Sequence, residues 1–332
     1  MEKWKIDVPV LLIFFARPKE LQKVFDSVRQ AKPSTLLLWQ DGPRENRPDD
    51  IENINACREI VENIDWECTV YRNYHEKNMG CDPSTFLSHK WAFSIVDKCI
   101  IMEDDRIPDQ SFYRFCKELL DYYENDTRIS HICGTNLLEN YDACDGDYLF
   151  ASHGSTTWAS WRRVAEQWEE DYAFLNDEYA MSCLKSDMPK EEFATVYGNA
   201  ERHSKSGKQY WESILGMSCL LNHQVAIIPA KNLVCDIGMS ENATHALAEE
   251  KYVSKSQRNM FNMKAYEVTF PIKHPKYIVI DRNYEKEINK FSGLGYPFLK
   301  LKFTTERVIR YILNGDVKRL VAGFKNRIKR SK

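Results

Sequence analysis

Continuous apolar runs alternate with amphipathic segments along roughly the first 135 residues of the chain. An uninterrupted run of about four to eight apolar residues is typical of a strand buried on both faces, whereas apolar residues at every third or fourth position are typical of a helix. The pattern predicts strands over residues 9–16, 35–40, 67–73, 98–103 and 128–136, and helices over residues 18–30, 49–63, 83–96 and 109–125. Strands and helices that alternate in this way form a mostly parallel sheet with helices on both faces. The predicted fold class is therefore α/β.

Polar residues follow the predicted strands at the points where the apolar runs end. Arg17 follows the first strand, and Asp41 follows the second. Asn78 lies in the loop after the third strand, and the acidic triplet Glu103–Asp105 ends the fourth. Ligands of open parallel sheets bind at the carboxyl ends of the strands, so we expect these side chains on one rim. A guanidinium, carboxylates and a polar loop suit a nucleoside diphosphate bound together with a divalent cation.

The acidic triplet has two interpretations. Neighbouring carboxylates repel one another, so each must stay in water or find a compensating charge. The triplet could be a solvated strand end without function, or it could hold a cation. The second interpretation is favoured because three acids that end a buried strand are costly unless they are compensated. Hard carboxylate oxygens suit Mg²⁺ or Mn²⁺.

The glycine pattern argues against two other classes of nucleotide-binding enzyme. No GxGxxG motif follows the first strand, and no GxxxxGK[ST] motif occurs anywhere in the chain. A dinucleotide-dependent dehydrogenase and a P-loop ATPase are therefore disfavoured, although the predicted sheet would suit either.

Four stretches of the chain carry a resemblance to a known family. The segments "FFARPKELQKVFDSV", "LLLWQDGPR" and "HKWAF" and the triplet "EDD" occur in the order and spacing of a GT-A-fold glycosyltransferase. The chain resembles the N-acetylglucosaminyltransferase I family and related bacterial polysaccharide glycosyltransferases. The resemblance covers residues 8–137 and extends more weakly through residues 156–163 to residues 232–245. It implies a GT-A (Rossmann-like) fold, a nucleotide-sugar donor and a divalent cation.

The resemblance also implies roles for single residues of the donor site. Arg17 would contact the donor diphosphate, and Asp41 would recognise the uracil ring. Within the triplet, Asp105 would bind Mn²⁺ or Mg²⁺ directly, Asp104 would contact the ribose, and Glu103 would lie near the donor sugar. Together with Asn78, these residues form the predicted nucleotide-sugar and metal site.

Structural alternatives stay open for some of these positions. Asp41 precedes a Gly-Pro pair, and turn chemistry alone would explain an aspartate there. Arg17 could merely flank the first helix. A family histidine on the third helix falls on Ser88 in this chain, with His89 one position away.

An inverting transfer also needs a base that removes the proton from the acceptor hydroxyl. Glu212 follows Trp211 at the start of an apolar helical stretch, and the family carries its base in a similar Trp-acid context. The resemblance therefore implies that Glu212 is the catalytic base, while an acid favoured by a helix dipole is the structural alternative. His245 is the predicted second metal or diphosphate contact, and Asn136 and Trp158 are the predicted acceptor or sugar contacts. His245 and Trp158 could instead be structural residues.

The net charge of -3 is unevenly distributed along the chain. From Lys300 to the C-terminus, eleven Lys and Arg residues accompany two acids, which gives a local net charge of +9. We expect a nucleotide-sugar-binding half over residues 1–137, an acceptor-binding and catalytic half of the same domain over residues 138–298, and a basic amphipathic helical tail over residues 299–332. Such a tail can lie on an anionic membrane surface, or it can cover the core as an ordinary surface helix.

The cysteines and the N-terminal residues indicate the compartment. The ten cysteines are scattered without a CxxC pair, and the N-terminus lacks a signal-peptide pattern. Free thiols in a reducing cytoplasm are therefore expected. No apolar run is long enough to span a bilayer, so the protein is expected in the cytoplasm, either free or peripheral on the inner face of the membrane.

The sequence thus predicts a metal-dependent Leloir glycosyltransferase that transfers a sugar, with inversion, from a UDP-sugar to a polysaccharide or glycolipid acceptor. Its partners would be a nucleotide-sugar donor and a saccharide or lipid-linked saccharide acceptor, and no nucleic acid. Two alternatives stay open. A sugar-nucleotide nucleotidyltransferase shares the sheet and the metal, although that class opens with a Gly-rich loop and "ARPKE" lacks the glycines. A non-catalytic carbohydrate- or nucleotide-binding protein would bind UDP without turnover.

Overall fold

A computed structural model describes residues 6–154, 157–238, 258 and 261–316 of the chain. The strands are β1 (Val10–Phe14), β2 (Thr35–Gln40), β3 (Thr69–Tyr74), β4 (Lys98–Glu103), β5 (Arg106–Pro108), β6 (Ile129–Cys133), β7 (Tyr148–Ala151), β8 (Trp158–Trp161), β9 (Val225–Pro229) and β10 (Val234–Asp236). The helices are α1 (Pro18–Ala31), α2 (Asp49–Glu62), α3 (Cys81–Ile95), α4 (Gln110–Tyr122), α5 (Arg162–Ala165), α6 (Glu178–Asp187), α7 (Lys190–Ser206), α8 (Trp211–Leu221), α9 (Arg282–Ser292) and α10 (Pro297–Leu313). A short 3-10 helix spans Ala173–Asn176.

Eight of these strands form one mostly parallel sheet. Its order is β3-β2-β1-β4-β8-β6-β9-β7, and β7 and β8 run antiparallel to the other six strands. The prediction of an α/β fold with helices around a mostly parallel sheet is confirmed. Because strands from both sides of residue 137 share the sheet, the two halves of the chain form one continuous layer.

The order β3-β2-β1-β4 matches one half of a doubly wound nucleotide-binding fold. The strand order reverses between β1 and β4, where Ile13 lies opposite Glu103. In open sheets of this kind, ligands bind in the crevice outside the carboxyl ends of the two strands that flank the reversal. The sequence therefore places Arg17 and the acidic triplet at the point where this sheet is expected to bind a ligand.

Local sequence explains why the helices of this half begin where they do. Pro18 opens α1, a position that suits its fixed φ and its missing N–H. Helix α3 begins at Cys81, two residues before the predicted start at Pro83. Gly80 precedes it with a φ of 89°, a conformation that glycine adopts without steric cost, and so the loop after β3 can turn directly into the helix.

Two features of the sheet have no counterpart in the sequence prediction. Strand β8 inserts between β4 and β6 and runs antiparallel to both. Its four residues are buried, but "WASW" is too short to stand out as an apolar run. Strands β5 and β10 form a separate two-stranded antiparallel sheet in which Asp236 lies opposite Arg106. This small sheet brings a segment from the second half of the chain next to the acidic triplet.

The predicted helical C-terminal extension is present as α10. Residues 317–332 of the basic tail lie outside the described residues. No helix among the residues that the structure describes has the length and apolar content needed to cross a membrane.

All ten cysteines are free thiols, as the sequence predicts. Several are core residues: Cys57, Cys99, Cys116, Cys133 and Cys219 are buried. Burial raises the pKa of Cys57 to about 12 and that of Cys219 to about 11, so these thiols are held in the unreactive protonated form.

Two buried asparagines join the end of β6 to the segments around β10. Asn232 is fully buried, and its Nδ2 donates to the carbonyl oxygens of Val234 at 2.7 Å and of Lys264 at 2.9 Å. Its Oδ1 accepts from the backbone N–H of Asn136 at 3.1 Å. The side chain of Asn136 in turn donates to the carbonyl oxygen of Pro229 at 2.9 Å. These bonds pair the buried amides of both side chains and connect β9, β10 and Lys264 to the end of β6.

We expect Asn232→Ala to destabilise the protein by about 3 kcal/mol, because it leaves buried backbone groups without partners. The measurement is the urea midpoint of unfolding at neutral pH. Asn283→Ala is the matched control, since Asn283 is exposed on α9 and should change stability by less than about 0.5 kcal/mol. Equal midpoints for the two variants would contradict the structural role of Asn232.

Candidate functional site

Arg17 and the acidic triplet meet at the crevice between β1 and β4. The guanidinium of Arg17 forms an ion pair with Asp104, and its Nη1 lies 2.9 Å from Oδ2 of Asp105. The other oxygen of Asp104 accepts from the backbone N–H of Phe15 at 3.2 Å. Burial raises the pKa of Asp104, and Arg17 opposes that rise. Burial disfavours the charge on Arg17, but the two carboxylates raise its pKa, so it stays a cation.

A second guanidinium completes the cluster from the small sheet. Arg106 forms an ion pair with Asp236, and its Nε lies 3.4 Å from Oδ1 of Asp105 and 3.6 Å from Oε2 of Glu103. The chain after β10 approaches so closely that a Cβ on Gly238 would lie 2.3 Å from Oδ2 of Asp105. A larger residue at this position would have to displace the Asp105 side chain.

The sequence analysis missed Arg106 and Asp236 as members of the site. Arg106 directly follows the triplet, which is a signal that charge compensation could have used. Asp236 lies in the "NLVCDIG" stretch that the resemblance covers, but nothing in the stretch alone pairs it with β5. Burial raises the pKa of Asp236, and the charge of Arg106 opposes the rise.

The triplet contains a carboxyl group that titrates near neutrality. The pKa of Glu103 is raised to about 7, chiefly by burial; Arg106 opposes the rise, and the charges of Asp105, Glu212 and Asp104 add to it. Glu212 therefore lies within electrostatic range of Glu103. The structure thus brings the predicted base and the predicted donor site together, although they are separated by more than a hundred residues in sequence.

The donor set of the cluster fits a divalent cation that also binds ligand oxygens. Oδ1 of Asp105 is buried and accepts no hydrogen bond from the described residues, although Arg106 lies near it. A carboxylate oxygen of this kind suits Mg²⁺ or Mn²⁺. Within the described ranges, no group of three or more His, Cys, Asp or Glu side chains could hold a metal ion by itself. In the usual Mg²⁺ site only one or two carboxylates come from the protein, and phosphates and water supply the other ligands. The carboxylates of this cluster would be enough for such a site.

Asp41 organises the loop after β3. Its carboxylate accepts from the backbone N–H groups of Gly42 and Met79 at 2.9 Å and of Gly80 at 3.1 Å. The side chain of Asn78 donates to it at 3.0 Å. Burial raises the pKa of Asp41, and these backbone donors oppose the rise. The structure thus places Asp41 and Asn78 together at the rim, and their contact with a uracil ring stays a prediction.

Glu212 is exposed in the first turn of α8, above a wall of buried aromatic rings. Trp211 stacks on Trp158 with ring centroids 5.5 Å apart and planes inclined by 4°. His89 meets both indoles edge-on, at centroid distances of 5.2 Å and 5.3 Å. The stack fixes the start of α8 and therefore the position of Glu212.

Three other predicted contacts are placed as follows. Trp158 is 2% exposed in this stack, so a sugar contact by its ring stays a prediction that requires the stack to open. Asn136 is fully buried, and its amide donates to two carbonyl oxygens, so its predicted sugar contact would require those bonds to exchange. His245 lies outside the described residues.

Comparisons with known proteins give no family assignment. No family model matches the chain, and no curated protein matches it. Among solved structures, S. aureus TarS 1–349 is similar at 10% identity and a TM-score of 0.38, over 68% of this chain and 59% of that one. UDP-glucose pyrophosphorylase complexed with UDP-glucose and HddC from Yersinia pseudotuberculosis are each similar at 10% identity and a TM-score of 0.30. Each of these two matches covers 48% of this chain. The first covers 78% of the pyrophosphorylase chain, and the second covers 80% of the HddC chain. The match to TarS thus spans well under two thirds of that chain, and similarities this weak carry no argument about activity.

His89 gives the fold a measurable sensitivity to acid. Neither of its ring nitrogens has a hydrogen-bond partner among the described residues, and burial lowers its pKa to about 3. Because the folded state holds His89 neutral while the unfolded chain protonates it below about pH 6.5, this residue costs stability as the pH falls through that window. The cost is about 1.4 kcal/mol per pH unit for one proton.

We expect His89→Phe to flatten the pH dependence of stability. Between pH 6 and pH 4.5 the native protein should lose about 2 kcal/mol more than the variant, as measured by urea unfolding at several pH values. Acids with raised pKa values, such as Glu103, have the opposite effect on the pH dependence of stability. Both proteins contain these acids, so their effect cancels when the native protein is compared with the variant. His223→Asn is the control, because His223 is exposed and its φ of 51° suits asparagine. Parallel pH curves for native protein and His89→Phe would show that His89 is not held neutral.

Proposed function

We propose that this chain is a metal-dependent glycosyltransferase that transfers a sugar from a UDP-sugar donor with inversion at the anomeric carbon. One observation supports the proposal above the others. A carboxylate cluster with two guanidinium groups lies at the switch point of the sheet, and the charge of an exposed carboxylate, Glu212, reaches that cluster. This arrangement offers a diphosphate site and a base on its acceptor side.

The charge of the cluster explains why a cation is part of the proposal. The carboxylates of Glu103, Asp104, Asp105 and Asp236 outnumber the guanidinium groups of Arg17 and Arg106 by two. A diphosphate would be repelled by this excess of negative charge. A divalent cation held by Asp105 would offset this excess, and when bound it would stabilise the negative charge of the departing diphosphate. Mn²⁺ and Mg²⁺ both suit these ligands.

The chain's own residues divide the remaining work. Arg17 can fork onto phosphate oxygens as it now forks onto two carboxylates. Glu212 removes the proton from the attacking hydroxyl of the acceptor, since it is exposed and lies within electrostatic range of Glu103 at the donor side. The stacked rings of Trp158 and Trp211 hold it in place.

The acceptor proposed is a saccharide or a lipid-linked saccharide at the cytoplasmic face of a membrane. Tyr210, two residues before Glu212, is half-buried, and its ring could contact a sugar. The hydroxyl of Tyr172 accepts from the backbone N–H of Tyr210 at 2.9 Å, and the charge of Glu212 contributes to the raised pKa of Tyr172 after its burial. Aromatic planes beside a base are a common setting for a bound sugar ring.

The alternative of a sugar-nucleotide nucleotidyltransferase has less support from the geometry. That activity needs a loop that wraps the phosphates of a nucleoside triphosphate. Here β1 ends at Phe14 and α1 begins at Pro18, so only three residues connect them. The guanidinium in this short connection, Arg17, points at carboxylates.

We expect UDP to bind tightly only when Mn²⁺ is present, and more tightly than CDP, GDP, NAD or UTP. Isothermal titration of the full chain with each nucleotide is the measurement. Asp105→Asn should weaken metal-dependent UDP binding at least as much as the roughly tenfold loss typical of residues that merely support a metal ligand. Asp97→Asn is the matched control, because Asp97 precedes β4 at the opposite edge of the sheet and is exposed.

Three outcomes of this titration would contradict the proposal. They are preference for NAD, UDP binding that is indifferent to Mn²⁺, and equal losses in the Asp105 and Asp97 variants. Preference for UTP would support the nucleotidyltransferase instead.

We expect Glu212→Gln to lower the rate of sugar transfer by about 10²-fold to 10⁴-fold, because the amide cannot accept the proton of the attacking hydroxyl. The measurement is release of UDP from UDP-sugars in the presence of saccharide acceptors. Binding of UDP with Mn²⁺ should be unchanged. Glu178→Gln is the matched control, since Glu178 occupies the same first-turn position of α6. Turnover that survives in Glu212→Gln would refute its role as the base, and UDP binding without any turnover of the native chain would favour the non-catalytic alternative.

A further inference from the structure

Helix α10 presents a row of large apolar side chains to solvent. Phe298, Leu301, Ile309, Ile312 and Leu313 are all exposed, and Phe298 and Leu313 are 86% and 79% exposed. In a helix with 3.6 residues per turn, these positions recur on one side. They form a single stripe, which we name the α10 stripe.

The opposite side of α10 carries apolar residues together with Lys300 and Arg307. Tyr311 is buried there, and Leu299 and Phe303 are half-buried. A helix that buries one apolar side against a protein ordinarily carries charged residues on its outer side. Because α10 instead carries the α10 stripe on its outer side, the stripe needs a second apolar environment.

Basic side chains accompany the stripe. Lys300, Lys302 and Arg307 are exposed on the same helix, whereas Glu306 is paired with Arg310 at 2.9 Å. The last sixteen residues of the chain carry seven further Lys and Arg residues and no Asp or Glu. An apolar stripe with Lys and Arg around it is the composition of helices that lie in the interface of a membrane.

We propose that α10 docks this protein on a bilayer surface that contains anionic lipids. The α10 stripe enters the boundary between headgroups and acyl chains. Lys302 lies on the same side as the stripe and reaches the anionic headgroups, because its long aliphatic stem can lie along the apolar surface while the charge stays in water. Lys300 and Arg307, on the opposite side of the helix, add to the positive charge that attracts an anionic surface. This docking does not depend on the transfer chemistry, since it can be measured without any sugar donor.

A second copy of the chain and the chain's own last residues fit the stripe less well. In a symmetric dimer, the exposed cations of both copies would meet around one interface, and like charges at an interface are unfavourable. The last sixteen residues would add seven positive charges next to the same lysines. An anionic lipid surface instead neutralises all of these charges.

The test is co-sedimentation of the full chain with phosphatidylglycerol-containing vesicles and with pure phosphatidylcholine vesicles. The native protein should bind the anionic vesicles far better, and salt should weaken that binding. The double variant Phe298→Ser/Leu313→Ser should partition about tenfold or more weakly, because two large apolar side chains no longer leave water. The variant Lys300→Glu/Lys302→Glu should lose the preference for anionic vesicles.

The control is the double variant Tyr179→Ser/Val279→Ser, which removes two side chains that are 81% and 68% exposed elsewhere on the protein. It should bind vesicles as the native chain does. The proposal is overturned if the native protein does not bind anionic vesicles, or if the Phe298/Leu313 variant binds them as well as the native protein. It is also overturned if, without lipid, the native chain sediments as a dimer and that variant as a monomer, because the stripe would then belong to a second copy.

Discussion

The pairing of buried carboxylates with two guanidinium groups is the interaction on which the candidate site depends. Asp104 is almost fully buried, and its charge is tolerable there because Arg17 neutralises it and the backbone N–H of Phe15 donates to it. Arg106 does the same for Asp236. Since Arg17 follows β1, Arg106 begins β5 and Asp236 ends β10, the two pairs tie three distant segments of the chain to one corner of the sheet. The geometry of the crevice follows from these pairs.

The same network does not compensate all of its carboxylates, and the proposed chemistry makes use of the negative charge that remains. Two guanidinium groups do not balance four carboxylates, and one oxygen of Asp105 accepts no hydrogen bond from the described residues. A protein that only needed to bury these acids would gain stability by replacing some of them with apolar residues. An excess of hard oxygen ligands at the switch point of the sheet is instead an arrangement that the proposed cation and diphosphate would complete.

The sequence predicted the parts of this structure that are encoded locally. Strands β2 and β4 lie within the bounds expected from their apolar runs, and α1 lies within one residue of its expected bounds. Arg17 and the triplet were found because the carboxyl-end rule needs only the end of each run. Strand β8 and the pairing of Asp236 with Arg106 could not be found in this way. Their positions follow from contacts between segments far apart in the chain, and the local pattern carries no information about such contacts.

The groups that cost the fold most lie around one cleft. Glu103 is a half-buried acid beside other acids, and the His89 ring has no polar partner among the described residues. His89 nonetheless packs edge-on against the two stacked indoles that precede and support Glu212. A neutral, unpaired imidazole is a poor choice for stability alone, because phenylalanine would pack there without a desolvated nitrogen. Departures from good packing chemistry that gather at one place are a mark of function in natural proteins. The position of Glu212 above this aromatic wall therefore agrees with its proposed role as the base.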